Sequence, residues 1–450
     1  MFTRFLYANY RLQSTVQWRM RRRFTQGGLL IVTGLGASAL LGAHISLTMA
    51  YQAFTFLLSL LMISLLCSAF FRPRLTVWRI LPRFGTVGQP LPYRLQVRNA
   101  GPKTLRGLML LDNLADPRPS LHAFVHAREP GEERRNWFDR ALGYYRYRWL
   151  VSQNEVTVGG EQSLPAIPPG GEVELRRDLT PARRGRVGFT GVTAARPDPF
   201  GLSRALATLS LGQSVLILPK RYPLPAMQLP GSRAYQHGRV ALASPVGDSE
   251  EFVALREYRP GDPLRRIHWR SWARTGKPIV KEYQEEFFVR HALVLDTFLS
   301  AEDGEVFEDA VSVAASFACT VLTQESLLDL LFVGPQAYCV TAGRGLGQTD
   351  HLLEILACVQ PCVDKPFEAL HRLVTERGES LSGCICVLLS WAEDRQRFVT
   401  HLHRLGVPTV VFLVVDPSRP RSAASDPKMH TPAWLHRLEV GKIAEALARL

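Results

Sequence analysis

The residues best suited to chemistry in this 450-residue chain lie between Gly247 and Glu286, in GDSEEFVALREYRPGDPLRRIHWRSWARTGKPIVKEYQEE. From Gly247 to Arg290 there are nine Lys or Arg and eight Asp or Glu. Dense charge at near balance predicts a paired network in which guanidinium groups clamp carboxylates in two-pronged fashion. Arg259-Pro260-Gly261-Asp262 predicts a tight turn, because Pro260 presets φ and Gly261 accepts φ > 0, as a type II turn requires. Asp262 before Pro263 reads as a helix N-cap with proline at the first helical position, the helix running to about Arg274 and closed by Gly276. Pro278 to Tyr283 then reads as a strand entering the sheet. The segment offers a carboxylate and an imidazole, Asp262 and His268, but no nucleophile paired with a base. Two readings stand: a recognition surface or active site, and an ion-pair lattice that locks the following domain to its N-terminal neighbour.

Other chemistry is sparse. Gly343-Arg344-Gly345-Leu346-Gly347 is glycine-rich but lacks the Lys-Ser/Thr of a phosphate-binding loop and does not fit G-x-G-x-x-G. No G-x-S-x-G or H-E-x-x-H occurs. Of the seven cysteines, Cys67 falls in an apolar run and Cys319, Cys339, Cys358, Cys362, Cys384 and Cys386 in the last third, with no C-x-x-C. Free thiols packed as small apolar groups fit a reducing cytoplasm.

The elements that must position these groups fall into two patterns. From His291 onward, apolar runs HALVLDT, LLDLLFVG, CICVLLS and PTVVFLVVD alternate with helical stretches near 305–324, 350–359, 367–376 and 394–406. Strands apolar throughout and separated by helices predict a doubly wound α/β domain over 291–450, its parallel sheet covered on both faces. Ligands of such sheets bind beyond the carboxyl ends of the strands, which places Asp296, Ser390 and Asp416 at the functional edge. Residues 73–220 read instead as short antiparallel strands. In LPYRLQVRN, Leu91, Tyr93, Leu95 and Val97 face one way and Arg94, Gln96 and Arg98 the other. Similar runs at 105–113, 172–180 and 186–195, punctuated by Gly and Pro, predict an immunoglobulin-like β-sandwich. Residues 115–160 interrupt it with a polar and aromatic insertion, read either as a bilayer-facing element or as a longer hairpin with an aromatic cluster. Residues 221–246 read as a linker.

Ahead of these domains, no Asp, Glu, Lys or Arg occurs between Arg23 and Arg72. That run is long enough for two helices of about 20 residues, each crossing a hydrocarbon core of about 30 Å. We expect a basic N-terminus over 1–26 and a transmembrane hairpin over 27–72. Arg4, Arg11, Arg19, Arg21, Arg22 and Arg23 precede the hairpin and Arg72 and Arg74 follow it, so the positive-inside bias places both ends in the cytoplasm. The expected location is a bacterial inner membrane, multi-pass, with the soluble domains facing the cytoplasm. The formal net charge is +14, and the first 74 residues hold eight Arg and no acid. More than half of the basic excess therefore belongs to membrane topology and anionic lipid, which argues against nucleic acid as a partner.

The motif G-D-x-E-E-F-x-x-L-R-E-Y-x-P-G-D-x-x-R-x-I-x-W-x-x-x-A-R-x-G resembles the hallmark of the bacterial family called domain of unknown function 58. Arg183-Arg184-Gly185-Arg186, Asp198-Pro199-Phe200-Gly201-Leu202, Phe307-Glu308 and the two apolar runs resemble its further pattern. The resemblance implies a von Willebrand factor A-like C-terminal half and genes neighbouring MoxR-type AAA+ ATPases and transglutaminase-like membrane proteins. It implies no established enzymatic activity. By this likeness Glu251, Phe252, Arg256, Tyr258, Pro260, Gly261, Asp262, Arg266, Trp269, Arg274 and Gly276 form the signature set, partner-binding or structural.

Domains similar to von Willebrand factor A often hold Mg²⁺ on an Asp-x-Ser-x-Ser strand end, with oxygen ligands suited to a hard cation. Here the strand end reads Asp296-Thr297-Phe298-Leu299-Ser300. Phe298 replaces the middle ligand, which leaves a degenerate Mg²⁺ position on Asp296 and Ser300. We therefore expect no cofactor and no catalytic residue. The expected role is a membrane-anchored cytoplasmic adaptor working with a MoxR-type AAA+ ATPase on an envelope complex. The alternative is a metal-dependent hydrolase using Asp296, Asp262 and His268.

Overall fold

The computed structural model describes residues 2–42, 48–127, 129, 131–132, 135–154, 157–158, 160, 162–225, 251–262, 264, 267–284, 289–298, 304–322, 327–343, 346–417 and 432–450. Most of the expected linker, residues 247–250, Pro263, Arg266 and Ser300 lie outside them. The chain divides into two compact units, one built on Met1–Lys220 and the other beginning at Arg221.

The first unit opens with three helices, α1 (Phe2–Arg23), α2 (Gln26–Gly42) and α3 (Thr48–Ala69). Where only a basic tail was expected, α1 is a 22-residue helix; no Gly or Pro interrupts it. Met49–Ala69 is long and apolar enough to cross a membrane, whereas Gln26–Leu41 is apolar but shorter. At 1.5 Å per residue α2 is about 25 Å long, short of a hydrocarbon core of about 30 Å. Among the described residues, one of the two expected spans therefore has full length.

Among the described residues nine strands follow: β1 (Leu75–Ile80), β2 (Phe84–Thr86), β3 (Leu91–Asn99), β4 (Met109–Leu114), β5 (Thr157–Val158), β6 (Gln162–Ser163), β7 (Glu172–Thr180), β8 (Gly185–Pro197) and β9 (Arg204–Leu218). One sheet has the order β1-β3-β7-β5 and the other β2-β9-β8-β4-β6. Their inward faces share one core that includes Val77, Leu95, Leu110, Leu175, Phe189, Val192 and Ile217. The alternation read in 91–99 holds, since buried and exposed residues alternate along β3.

The insertion is helical rather than a long hairpin: α4 (Leu121–His126), α5 (Trp137–Leu142) and α6 (Tyr144–Asn154). Phe124 and Tyr147 are buried there, in an aromatic cluster completed by Tyr7 and Tyr10 of α1.

The loop joining β8 to β9 is held by Asp198, whose carboxylate accepts from the backbone N–H of Leu202 at 2.7 Å and of Ser203 at 2.8 Å. That loop meets the apolar helices. Ser64 donates to the Ser203 hydroxyl at 2.7 Å, Ser68 Oγ lies 2.9 Å from it, and the backbone N–H of Thr25 donates to the Leu202 carbonyl at 3.1 Å. The contact needs glycine at position 28, because a Cβ there would lie 1.9 Å from the Leu202 oxygen.

The second unit starts with a two-stranded antiparallel sheet, β10 (Glu251–Glu257) and β11 (Ile279–Gln284), with α7 (Trp269–Thr275) between them. Among the described residues β11 pairs with β10 and joins no larger sheet. Beyond it come β12 (Arg290–Leu295), α8 (Gly304–Leu322), β13 (Leu327–Val333), β14 (Ala337–Ala342), α9 (Leu346–Cys358), α10 (Glu368–Thr375), β15 (Gly383–Leu388), α11 (Glu393–Arg404), β16 (Thr409–Val415), β17 (Leu435–Glu439) and α12 (Ile443–Leu447). The sheet order is β14-β13-β12-β15-β16-β17. β14 runs antiparallel to β13 while the other pairs are parallel, so the sheet is mixed where a parallel one was expected. Ala292, Val294, Val411 and Leu413 pack with Leu370 and Val374 of α10 and Phe398 and Leu402 of α11. Phe412, of opposite parity, packs its ring against Phe317 of α8 with centroids 4.6 Å apart. Helices thus cover both faces. Cys358 ends α9, and Cys362 forms a β-bridge with Phe298.

Candidate functional site

The charge-rich segment folds around one two-pronged contact. Arg256 of β10 donates from Nη1 and Nη2 to Asp262 Oδ2 and Oδ1, both at 2.7 Å. Asp262 Oδ2 also accepts the backbone N–H of Arg259 at 2.8 Å. The Arg256 guanidinium, with that N–H, holds the Asp262 carboxyl down at about 2. Gly261 takes φ 109°, and the Asp262 N–H donates to the Arg259 carbonyl at 3.0 Å, closing the turn read from Pro260-Gly261. The helix that Gly276 closes runs over Trp269–Thr275 with His268 as its N-cap, and the Asp262 carboxylate serves the turn and Arg256. Gly276, at φ 72°, caps its end, and Arg274 sits in its last turn, where a cation suits the helix dipole.

Trp269 stacks on Trp272 at 5.3 Å and is 64% exposed. Tyr258 donates its backbone N–H to the Pro278 carbonyl at 2.9 Å, tying the turn to the approach of β11. His268 Nδ1 lies 2.7 Å from Ser271 Oγ. The backbones of Glu251 and Phe252 lie in β10; Arg266 and Ser300 lie outside the described residues.

Asp296 follows β12 at the point where the sheet's winding reverses: the chain passes from β12 to β13 on one side and returns to β15 on the other. That is the ligand position of a doubly wound sheet. Asp296 is fully buried. Its Oδ1 accepts the Phe298 N–H at 3.0 Å and its Oδ2 the Leu389 N–H at 3.3 Å. Arg395 of α11 supplies the rest, Nε to Oδ2 at 3.1 Å and Nη2 to Oδ1 at 3.4 Å. The guanidinium also donates to Asp394 at 2.7 Å and to the Phe298 carbonyl at 3.1 Å, and lies 4.5 Å from the Phe367 ring centre. Burial pushes the Asp296 carboxyl up, and Arg395 with the two N–H groups opposes it. The position where a cation would sit against Asp296 is thus taken by the chain's own cation. Thr297 turns away, donating its hydroxyl to the Val333 carbonyl. Among the described residues no group of three or more His, Cys, Asp or Glu is placed to hold a metal ion.

Asp262, His268 and Asp296, the trio of the hydrolase reading, have separate partner sets. No hydrogen bond or ion pair among the described residues links them.

A second charged centre escaped the sequence reading. Asp112 is buried between the two sheets of the first unit, with Arg79 Nη2 at 2.6 Å, Tyr93 Oη donating at 2.6 Å and Arg177 Nη1 at 3.3 Å. Burial first, then the Asp112 charge, pushes the Tyr93 hydroxyl far up. The signal was present: Arg79, Asp112 and Arg177 occupy inward slots of alternating strands, in register with Val77, Leu110 and Leu175. A further pair, His371 Nε2 and His401 Nδ1 at 2.8 Å, joins α10 to α11.

Residues 254–386, spanning the Arg256–Asp262 turn and Asp296, match the family described as "Protein of unknown function DUF58". Among curated proteins, the "Uncharacterized protein YeaD" of Bacillus subtilis (strain 168) is 27% identical over 182 residues, 40% of this chain and 44% of that protein. The chain thus matches less than half of that relative's length. Among solved structures, a CARDB domain from Pyrococcus furiosus is 14% identical, with a TM-score of 0.18 over 32% of this chain and 93% of that one. The GH20 exo-β-N-acetylglucosaminidase of Vibrio harveyi is 10% identical, with a TM-score of 0.17 over 76% of this chain and 57% of that one. Scores this low carry no argument about the fold.

Proposed function

We propose that this chain is a membrane-anchored docking protein rather than an enzyme. The observation that carries the proposal is Arg395 seated on Asp296. At the switch point where an α/β sheet of this winding takes its ligand, both carboxylate oxygens are already engaged by a guanidinium. The von Willebrand factor A-like reading of the second unit draws support from its sheet order and antiparallel β14. The immunoglobulin-like reading of the first draws support from two sheets over one core.

With the switch point filled, the signature segment is the surface left to act. The Arg256–Asp262 clamp sets the turn that precedes α7, and α7 presents the stacked Trp269 and Trp272. Exposed tryptophan beside arginine is the composition of a protein-binding hot spot. The partner proposed is a MoxR-type AAA+ ATPase, with a transglutaminase-like membrane protein as a further component. Both come from the motif's resemblance.

The test is affinity purification of the full-length chain in mild detergent, with and without ATP and Mg²⁺, comparing wild type with Trp269→Ala and with Arg256→Ala/Asp262→Ala. The AAA+ ATPase should co-purify with wild type and be lost from both variants. Equal recovery from all three would sink the docking role of the segment, and no ATPase with wild type would sink the adaptor reading.

A further inference from the structure

We propose that α1 is an interfacial helix whose outer face lies in the headgroup layer of an anionic membrane, with its rotation set by the folded unit beneath it. The proposal rests on the membrane anchoring proposed above and adds a second, separate lipid contact.

The two faces of α1 are unlike. Its inner face is locked to the helices of the insertion. Leu6 is buried, Tyr7 donates to the Pro119 carbonyl at 2.9 Å, and Tyr10 donates to the Leu142 carbonyl at 3.2 Å. Ser14 Oγ lies 3.1 Å from Tyr147 Oη. These contacts leave the helix no freedom to turn about its axis. Its outer face carries Phe2, Phe5, Leu12 and Val16, exposed by 63%, 67%, 65% and 48%. Steps of three, seven and four residues put them on one side of a helix. Arg19 and Arg23, one heptad beyond Leu12 and Val16, continue that side as exposed cations.

Charge and continuity name the occupant. α1 carries six arginines, and no Asp or Glu occurs before Arg74. Large apolar side chains on one face with arginine around them describe a helix lying in a bilayer surface, where anionic lipid supplies the counter-charge. The end of α1 is tied to the apolar helices. Phe24 bridges Ser203, whose hydroxyl meets Ser64 and Ser68 near the end of α3. Only Phe24 and Thr25 separate α1 from α2. A membrane crossed by α3 over Met49–Ala69 and left near Ser68, whose hydroxyl meets Ser203, therefore has its surface where α1 ends. This accounts for the aromatic insertion as a cradle that holds α1 rather than an element dipping into lipid itself.

The test uses the full-length chain in vesicles of phosphatidylcholine, with or without phosphatidylglycerol. The photo-crosslinker p-benzoylphenylalanine replaces Leu12 in one sample and Leu66 of α3, 60% exposed, in another. Position 66 should label lipid in both vesicle types. Position 12 should label lipid in phosphatidylglycerol vesicles, and Arg19→Gln/Arg23→Gln should lower that yield about tenfold or more, since each arginine at an anionic surface favours contact about fivefold. Lipid labelled from 66 but not from 12, or a protein adduct at 12, overturns the interfacial helix and leaves the anchor standing. Equal yield at 12 in both vesicle types overturns the anionic requirement. No lipid adduct at 66 overturns the anchor and this proposal with it.

Discussion

Replacing Arg395 by Met should destabilise the second unit strongly and in a pH-dependent way. Asp296 has no solvent exposure, and four donors serve its carboxylate, two from Arg395 and one each from the Phe298 and Leu389 backbone. The substitution removes the two charged donors and strands an anion among Leu295, Val387 and Leu388. Breaking a buried ion pair from one side costs about 3–5 kcal/mol, against a whole-domain stability of about 5–15 kcal/mol. Asp296→Asn/Arg395→Met should cost less than the sum of its parts, by about 1–3 kcal/mol, because no buried charge is left unpaired. The pH dependence identifies the cause. Without Arg395 the folded-state pKa of Asp296 lies above its unfolded value, so the penalty is full at neutral pH. It shrinks as pH falls through the folded-state value. A mere cavity would cost the same at every pH. The assay is urea unfolding of the full-length chain in detergent, followed by the fluorescence of Trp391 and Trp434, which pack against the second unit's core. A cost below about 1 kcal/mol with no pH dependence would refute the view that Arg395 is the cation of this site. So would Mg²⁺ raising wild-type stability, since a ligand of the folded state stabilises by mass action.

Asp112→Ala removes the buried carboxylate that Arg79 and Arg177 share and should cost the first unit about 3–5 kcal/mol, with Tyr93→Phe costing about 2 kcal/mol, both read by urea titration. Gly28→Val drives a side chain into the Leu202 carbonyl and should speed protease cleavage between Pro197 and Arg204 in detergent; unchanged cleavage would mean that the loop is not docked on α2. His291, buried on β12, has its pKa lowered from 6.5 to about 4 by burial. Its folded value lies below its unfolded one, so its contribution is complete above about 6.5. It is lost as pH falls toward about 4, a span of up to about 3 kcal/mol that His291→Leu should abolish. Asp262, held at about 2 by Arg256, should keep its clamp from neutral pH down to about pH 3, so binding through the segment should be insensitive to mild acid.

Much of the local structure was legible because neighbours in sequence encode it. Alternation of apolar and polar residues is visible in 91–99, and β3 shows that pattern of burial. Continuous apolar runs marked β12, β13, β15 and β16, buried nearly throughout. Pro260-Gly261 located a turn through φ alone. What failed locally had a local reason. β14 is half exposed and only partly apolar, so it lacks the run that marked its neighbours. The insertion, read as a bilayer-facing element or as a longer hairpin with an aromatic cluster, carries the aromatic cluster on helices instead of a hairpin, and α1 completes it.

The sequence by itself determined the apolar N-terminal segment, the two kinds of sheet and the turn that carries the signature residues. Each follows from side-chain period, length or backbone restriction within some twenty residues. Only the tertiary structure decided which charges meet. Arg395 reaches Asp296 across 99 residues, Arg79 and Arg177 reach Asp112 across 33 and 65, and Ser203 reaches Ser64 across 139. Ion pairs and hydrogen bonds between distant segments leave no periodic trace, because what they require is convergence in space. Asp296 read as a relic metal ligand from its strand end alone. It became an arginine-bound carboxylate only when β12, β15 and α11 were brought together.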